Sequence, residues 1–177
     1  VCAVSPTLDL AGCVDALERR ANVVYQWNFV RKLKSRMRRK AAAFPGEFSL
    51  DALRGLWTVR RFDEAYTAPF HGFRDAADYY HRASALRVVD RIRVPALILA
   101  AEDDPFVPPA PFSGPEITGN AHITVVITPH GGHCAYVERA MNDYDGYWAE
   151  REILRFASFH VSSEAAPQTA EHVAPPR

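Results

Sequence analysis

Two apolar runs constrain this chain most: Val94-Pro95-Ala96-Leu97-Ile98-Leu99-Ala100-Ala101 and Ile123-Thr124-Val125-Val126-Ile127-Thr128. A run with no polar alternation has no solvent face, which predicts a strand covered on both sides, as in a parallel sheet. The connection between the two runs exceeds the dozen or so residues that a parallel crossover needs. A third, shorter run, Val1 to Val4, stops at Ser5-Pro6 and reads as another buried strand entering a turn. The expected class is α/β.

Helical stripes fill the rest. Leu10, Val14, Leu17 and Ala21 recur at helical spacing behind Asp9, a plausible cap. Trp27, Val30, Leu33 and Met37 form a second stripe, ended by Pro45-Gly46, whose other faces carry Arg31, Lys32, Lys34, Arg36, Arg38, Arg39 and Lys40. Residues 47 to 90 are aromatic-rich and read as short helices and loops. Five prolines between Pro105 and Pro115 mark a loop, and a closing helix is expected to bury Ala149, Ile153, Phe156 and Ala157. From residue 162 to 177 the sequence turns to Ala, Pro, Glu and Gln, and a disordered tail is expected.

Composition narrows the function classes. Lys plus Arg and Asp plus Glu both number 21, so bulk attraction to nucleic acid is not expected. No apolar stretch approaches the roughly 18 residues of a membrane span. The start has no basic segment ahead of an apolar one, so no secretory signal is read there. Three cysteines, Cys2, Cys13 and Cys134, have no zinc-type spacing, and their odd number cannot close a disulfide framework. Reduced thiols and a cytoplasmic location are expected. Because the chain opens on Val1 inside an apolar run, it reads as a piece of something longer.

The chemistry-bearing residues follow the two predicted strands. Glu102-Asp103-Asp104-Pro105-Phe106-Val107-Pro108 comes after the first, and His130-Gly131-Gly132-His133 after the second. In open parallel sheets, ligands gather outside the carboxyl ends of the strands. An acid on one end and an imidazole on the next can form a pair in which the carboxylate fixes the tautomer and stabilises the imidazolium. The paired glycines would let the backbone bend sharply before His133. Cys134 beside it is expected to be a small buried thiol. His130, His133, Asp103 and Asp104 could also be grouped as mixed metal ligands, but their spacing matches no metal motif.

The order acid then histidine, both late in the chain, is that of α/β-hydrolases. The stretch 93–108 resembles the acid-bearing strand and loop of that fold, and Pro129-His130-Gly131-Gly132-His133 resembles its histidine loop. Ala68 to Tyr80, followed by Ser84-Ala85-Leu86, is similar to the YheT-like branch, relatives of the ABHD esterases and lipases, as are Ala3-Val4-Ser5-Pro6 and the helix with Tyr147-Trp148. The resemblance covers about residues 1 to 160. It implies the C-terminal half of an α/β-hydrolase, residues 1–161, with a lid-like helical insertion at about 22–90. It makes Asp104 the triad acid, with Asp103 its competitor, and His133 the general base. His130 would shape the loop. The implied substrate is a small-molecule or lipid carboxylic ester, and no cofactor or metal is implied.

One departure matters more than the matches. The nucleophile elbow Gly-x-Ser-x-Gly does not occur: none of the eight serines, from Ser5 to Ser163, has the flanking glycines. In the family's order the elbow and the oxyanion hole would precede Val1, in the missing N-terminal half of the same domain. This chain alone is then expected to be inactive, and its exposed sheet edge to make it poorly soluble. The aromatic set Trp57, Phe62, Phe70, Phe73, Tyr79 and Tyr80 would either line an acyl pocket or pack a core. The basic run 31–40 would be a solvated face or a peripheral contact with an anionic membrane, where each cation contributes about 1 kcal/mol. The alternative to an enzyme is a non-catalytic module that binds an anionic surface or a partner through that helix.

Overall fold

The computed structural model describes residues 1–164, with side chains to residue 161. Strands β1 (Cys2–Val4), β2 (Ala96–Ala101) and β3 (Ile123–Thr128) form one parallel sheet in the order β1-β2-β3. Ala3 pairs with Ile98, and Ile98 with Val125. The central strand has no polar residue, and all six of its residues are buried. On one face Ile98 and Ala100 pack with Leu8, Val89, Val107, Phe112 and Ile117. On the other, Leu97 and Val126 lie beside Phe156 of the closing helix.

Helix α1 (Leu10–Leu17) starts where Asp9 accepts a hydrogen bond from the Ala11 N–H at 3.1 Å, and it buries Val14, Ala16 and Leu17. Helix α2 (Val23–Ala43) buries Gln26, Val30 and Met37. The predicted stripe was therefore out of phase at its start: Trp27 is exposed, and Gln26, one residue earlier, takes the inner position. A continuous helical stretch follows as α3 (Val59–Phe62), a π-helical turn at Asp63–Thr67, and α4 (Ala68–Phe70). Pro69 has no N–H to give to the ladder, and the widened turn just before it lets Ala68 reach the Asp63 carbonyl instead.

Helix α5 (Ala76–Ala83) is capped by Asp75. Residues 23–83 thus form a helical segment with cores of its own: Met37, Leu53, Leu56 and Phe62 in one, and Ala76 and Tyr80 with Val14 of α1 in the other. After β2 come a 3-10 turn (Ala110–Ser113) and the short α6 (Pro115–Thr118) before β3, and α7 (Trp148–Glu164) closes the described chain. Helix α7 runs three residues beyond the expected boundary at 161, and the remainder of the predicted tail lies outside the described residues. Its Ala149, Ile153 and Phe156 are half-buried, but Ala157 is exposed. Among the described residues, no helix is long and apolar enough to cross a membrane.

Candidate active site

Both motif loops leave the same sheet edge, because β2 and β3 are neighbours and parallel. The Glu102 N–H still bonds the Thr128 carbonyl at 2.9 Å, so the acid loop and the histidine loop start from adjacent, hydrogen-bonded points. Asp104 and His133 then meet: His133 Nδ1 lies 3.0 Å from Asp104 Oδ2. A carboxylate can only accept, so Nδ1 carries the proton and Nε2 is left as the basic nitrogen. The other Asp104 oxygen accepts from the Phe106 and Val107 N–H groups at 2.8 and 3.0 Å. The Asp104 side chain is 1% exposed and that of His133 is 41% exposed. The acid is buried with both oxygens occupied, and the base opens to the surface.

The neighbouring pair runs parallel to this one. Asp103 accepts from the Gly132 N–H at 2.8 Å and lies 3.4 Å from His130 Nδ1. The Gly132 bond, then the His130 imidazole, hold the Asp103 carboxyl below its ordinary range. Of the two aspartates, Asp104 is bonded to His133 and Asp103 anchors the loop backbone. The four side chains divide into two acid–imidazole pairs, and among the described residues no three His, Cys, Asp or Glu converge.

The two glycines serve different purposes. Gly132 has φ +54°, where a side chain is strained. Gly131 needs the room: a Cβ there would lie 2.6 Å from the Tyr136 ring and 3.2 Å from the Ala101 Cβ. Tyr136 is itself fixed by stacking on Trp148 at 5.8 Å and by a hydrogen bond with Ser5 Oγ at 3.0 Å. Ser5, at the end of β1, is buried with φ +45°, a conformation that few non-glycine residues adopt. A hollow of about 450 Å³ beside Asp103, Gly131, Tyr136 and Trp148 takes in neither Asp104 nor His133.

One expectation needs correction: Cys134 is exposed rather than buried. Of the aromatic set, Phe62 and Tyr80 pack in separate cores, Phe62 and Phe70 border a hollow of about 210 Å³, and Trp57 is exposed. The ring that reaches His133 is Phe106, edge-on at 5.2 Å, with Tyr25 of α2 4.9 Å beyond it and Phe29 at 6.1 Å. Asn22 was also missed. It is buried, and its Nδ2 donates to the Pro105 carbonyl at 2.7 Å and the Ala16 carbonyl at 2.9 Å, tying the start of α2 to the acid loop. Phe106 was legible as part of the acid motif. Tyr25, Phe29 and Asn22 are distant in sequence and carried no signal of their own.

No family model and no solved structure matches the chain. Curated proteins do. YheT of Escherichia coli (strain K12), which is named as an esterase, is 37% identical over 168 residues, covering 92% of this chain and 48% of its own length. Medium-chain fatty acid ethyl ester synthase/esterase 2 of Saccharomyces cerevisiae is 43% identical over 100 residues, 56% of this chain and 21% of the yeast protein. Phospholipase ABHD3 of Mus musculus is 29% identical over 127 residues, 71% of this chain and 31% of the mouse protein. This chain thus spans about half the length of YheT and less of the others. With its parallel sheet flanked by helices and its similarity along the C-terminal half of these proteins, the chain belongs to the YheT-like and ABHD-type branch of the α/β-hydrolase superfamily.

Proposed function

We propose that this chain supplies the acid and the general base of a Ser-His-Asp triad in a carboxylic ester hydrolase. The observation that carries the reading is the 3.0 Å contact between His133 Nδ1 and a buried Asp104 carboxylate. In this reading the nucleophilic serine and the oxyanion hole come from sequence preceding Val1. His133 Nε2, which has no hydrogen-bond partner among the described residues, takes the serine proton as the hydroxyl attacks the ester carbonyl. Asp104 holds the imidazole and stabilises the cation that forms. The protonated His133 gives its proton to the departing alcohol. Water then attacks the acyl-enzyme with His133 again as base. No cofactor takes part.

Phe106, backed by Tyr25 and Phe29, provides an apolar wall beside the base. That wall, and relatives named for a fatty acid ethyl ester and a phospholipid activity, favour an acyl ester as substrate. The helical segment at about 22–90 then serves as the lid insertion between β1 and β2. The test is fluorophosphonate labelling of the longer protein. Labelling is expected at a serine in a Gly-x-Ser-x-Gly elbow upstream of Val1, and its rate should fall by about a thousandfold or more in His133→Ala. Undiminished labelling in a folded His133→Ala protein, or an upstream sequence with no elbow, would overturn the proposal.

A further inference from the structure

Helix α2 carries more than its packing requires. Its buried stripe (Gln26, Val30, Met37) already satisfies the core, yet large apolar side chains remain outside: Val23 and Val24 are exposed, Trp27 is 58% exposed, and Trp57, which comes from the segment before α3, is 68% exposed. Single exposed apolar residues are ordinary, but these are grouped. Trp27, Arg31, Lys34 and Arg38 follow one another at intervals of four, three and four, so they form one stripe along the helix. The Arg31 guanidinium lies 5.5 Å from the centre of the Trp27 ring, and Lys34 Nζ lies 4.9 Å from that of Trp57. Each tryptophan on this flank therefore has a cation at its face.

The charge is equally one-sided. Residues 23–43 contain seven Lys and Arg and no Asp or Glu, in a chain whose total charge is zero, so the rest is net acidic. Among the described residues none of those seven cations forms an ion pair, although nine such pairs occur elsewhere. Cations left unpaired while the rest of the chain is net acidic are available to an external anion.

We infer that this flank of α2, with Trp57, docks peripherally on an anionic lipid surface. The charge selects an anionic partner, and the interleaved tryptophans select one with an apolar boundary. Indole rings settle at headgroup depth while neighbouring Lys and Arg reach the phosphates. The helix lies on the surface and does not cross it. Tyr25 and Phe29, which touch the acid-loop Phe106, lie on the other flank, so docking and the Asp104–His133 site use different sides of one helix. The inference therefore stands or falls separately from the proposed hydrolysis.

The experiment is cosedimentation of the longer protein that contains this chain with vesicles of phosphatidylcholine alone or mixed with phosphatidylserine, at about 0.1 and about 0.5 M salt. Binding should be about tenfold or more stronger on the mixed vesicles and should weaken at high salt. Tryptophan emission should shift to the blue on binding. The Trp27→Ala/Trp57→Ala pair should lose that shift, and Arg31→Gln/Lys34→Gln/Arg38→Gln should lose the preference for phosphatidylserine. Equal binding to both vesicles, no binding to either, or binding of an RNA oligonucleotide as tight as that of the mixed vesicles would overturn the inference. The salt and lipid arms use the unaltered longer protein, so they decide the matter even where a variant folds poorly.

Discussion

The carboxyl edge of the sheet and the helical segment 23–83 are held by different kinds of bond. At the sheet edge, Asp104 is fixed by two backbone N–H groups, Asp103 by another, and the two loops by the ladder between β2 and β3. The helical segment uses a backbone donor too, the Ala76 N–H to Glu64 at 2.7 Å, but it adds ties from side chain to side chain. Tyr80 donates to Asp63 at 2.7 Å, Thr67 donates to the same carboxylate at 2.6 Å, and Arg60 reaches back to Asp15 of α1 and to Glu18 just after it. Backbone donors have few conformations to lose, so the first arrangement positions the proposed acid–base pair closely. Side-chain ties hold a shape but each costs rotamer entropy. The pair that needs near-fixed geometry sits where the backbone supplies it.

Substitutions at Asp104 probe that contrast most strongly. Asp104→Asn keeps an acceptor for Phe106 and Val107 but not the charge that stabilises the imidazolium. Ester turnover by the longer protein should fall by about 10⁴-fold with little change in urea midpoint. Asp104→Ala should in addition leave those two N–H groups unpartnered and destabilise the fold by roughly 1–3 kcal/mol. Equal stability losses for both variants would mean that the backbone bonds contribute little.

Gly131→Ala tests close packing without touching charge. Its Cβ must displace the Tyr136 ring or Ala101, at about 1–3 kcal/mol, and the displaced loop should slow turnover as well. In the helical segment, Tyr80→Phe removes one donor to a buried carboxylate that Thr67 still serves. It should cost about 1 kcal/mol in urea unfolding and leave turnover unchanged. A catalytic defect in Tyr80→Phe would show that the two regions are coupled.

The smallest effect concerns Cys13, whose thiol burial and then the nearby Asp9 carboxylate push up to about 11. A thiol harder to ionise in the folded state contributes stability that is complete below the ordinary thiol range. That contribution is lost as pH climbs from about 9 through about 11. Unfolding followed across that window should show a decline that Cys13→Ala flattens. At pH 8, a maleimide should modify exposed Cys134 before Cys13.

Much of the site was legible because its chemistry is local. Each motif directly follows an apolar run, and a run without alternation must be a buried strand, so the acid and histidine loops were bound to leave a sheet. The helix Leu10–Leu17 was equally readable from its spacing and its Asp9 cap. What failed was phase and company. Trp27 and Gln26 differ by one position on a helix, and an apolar ring reads as core until its neighbours are known. Cys134 and Ala157 read as buried for the same reason.

The sequence by itself determined the strands, the parallel order of chemistry along the chain, and the residue types at the sheet edge, since periodicity and turn residues act over a few positions. Only the tertiary structure decided which aspartate meets His133, that Gly131 is required by the Tyr136 ring, and that Tyr25 and Phe29 back Phe106. Those relations join residues tens of positions apart, and no local propensity encodes the distance between two side chains that the fold alone brings together.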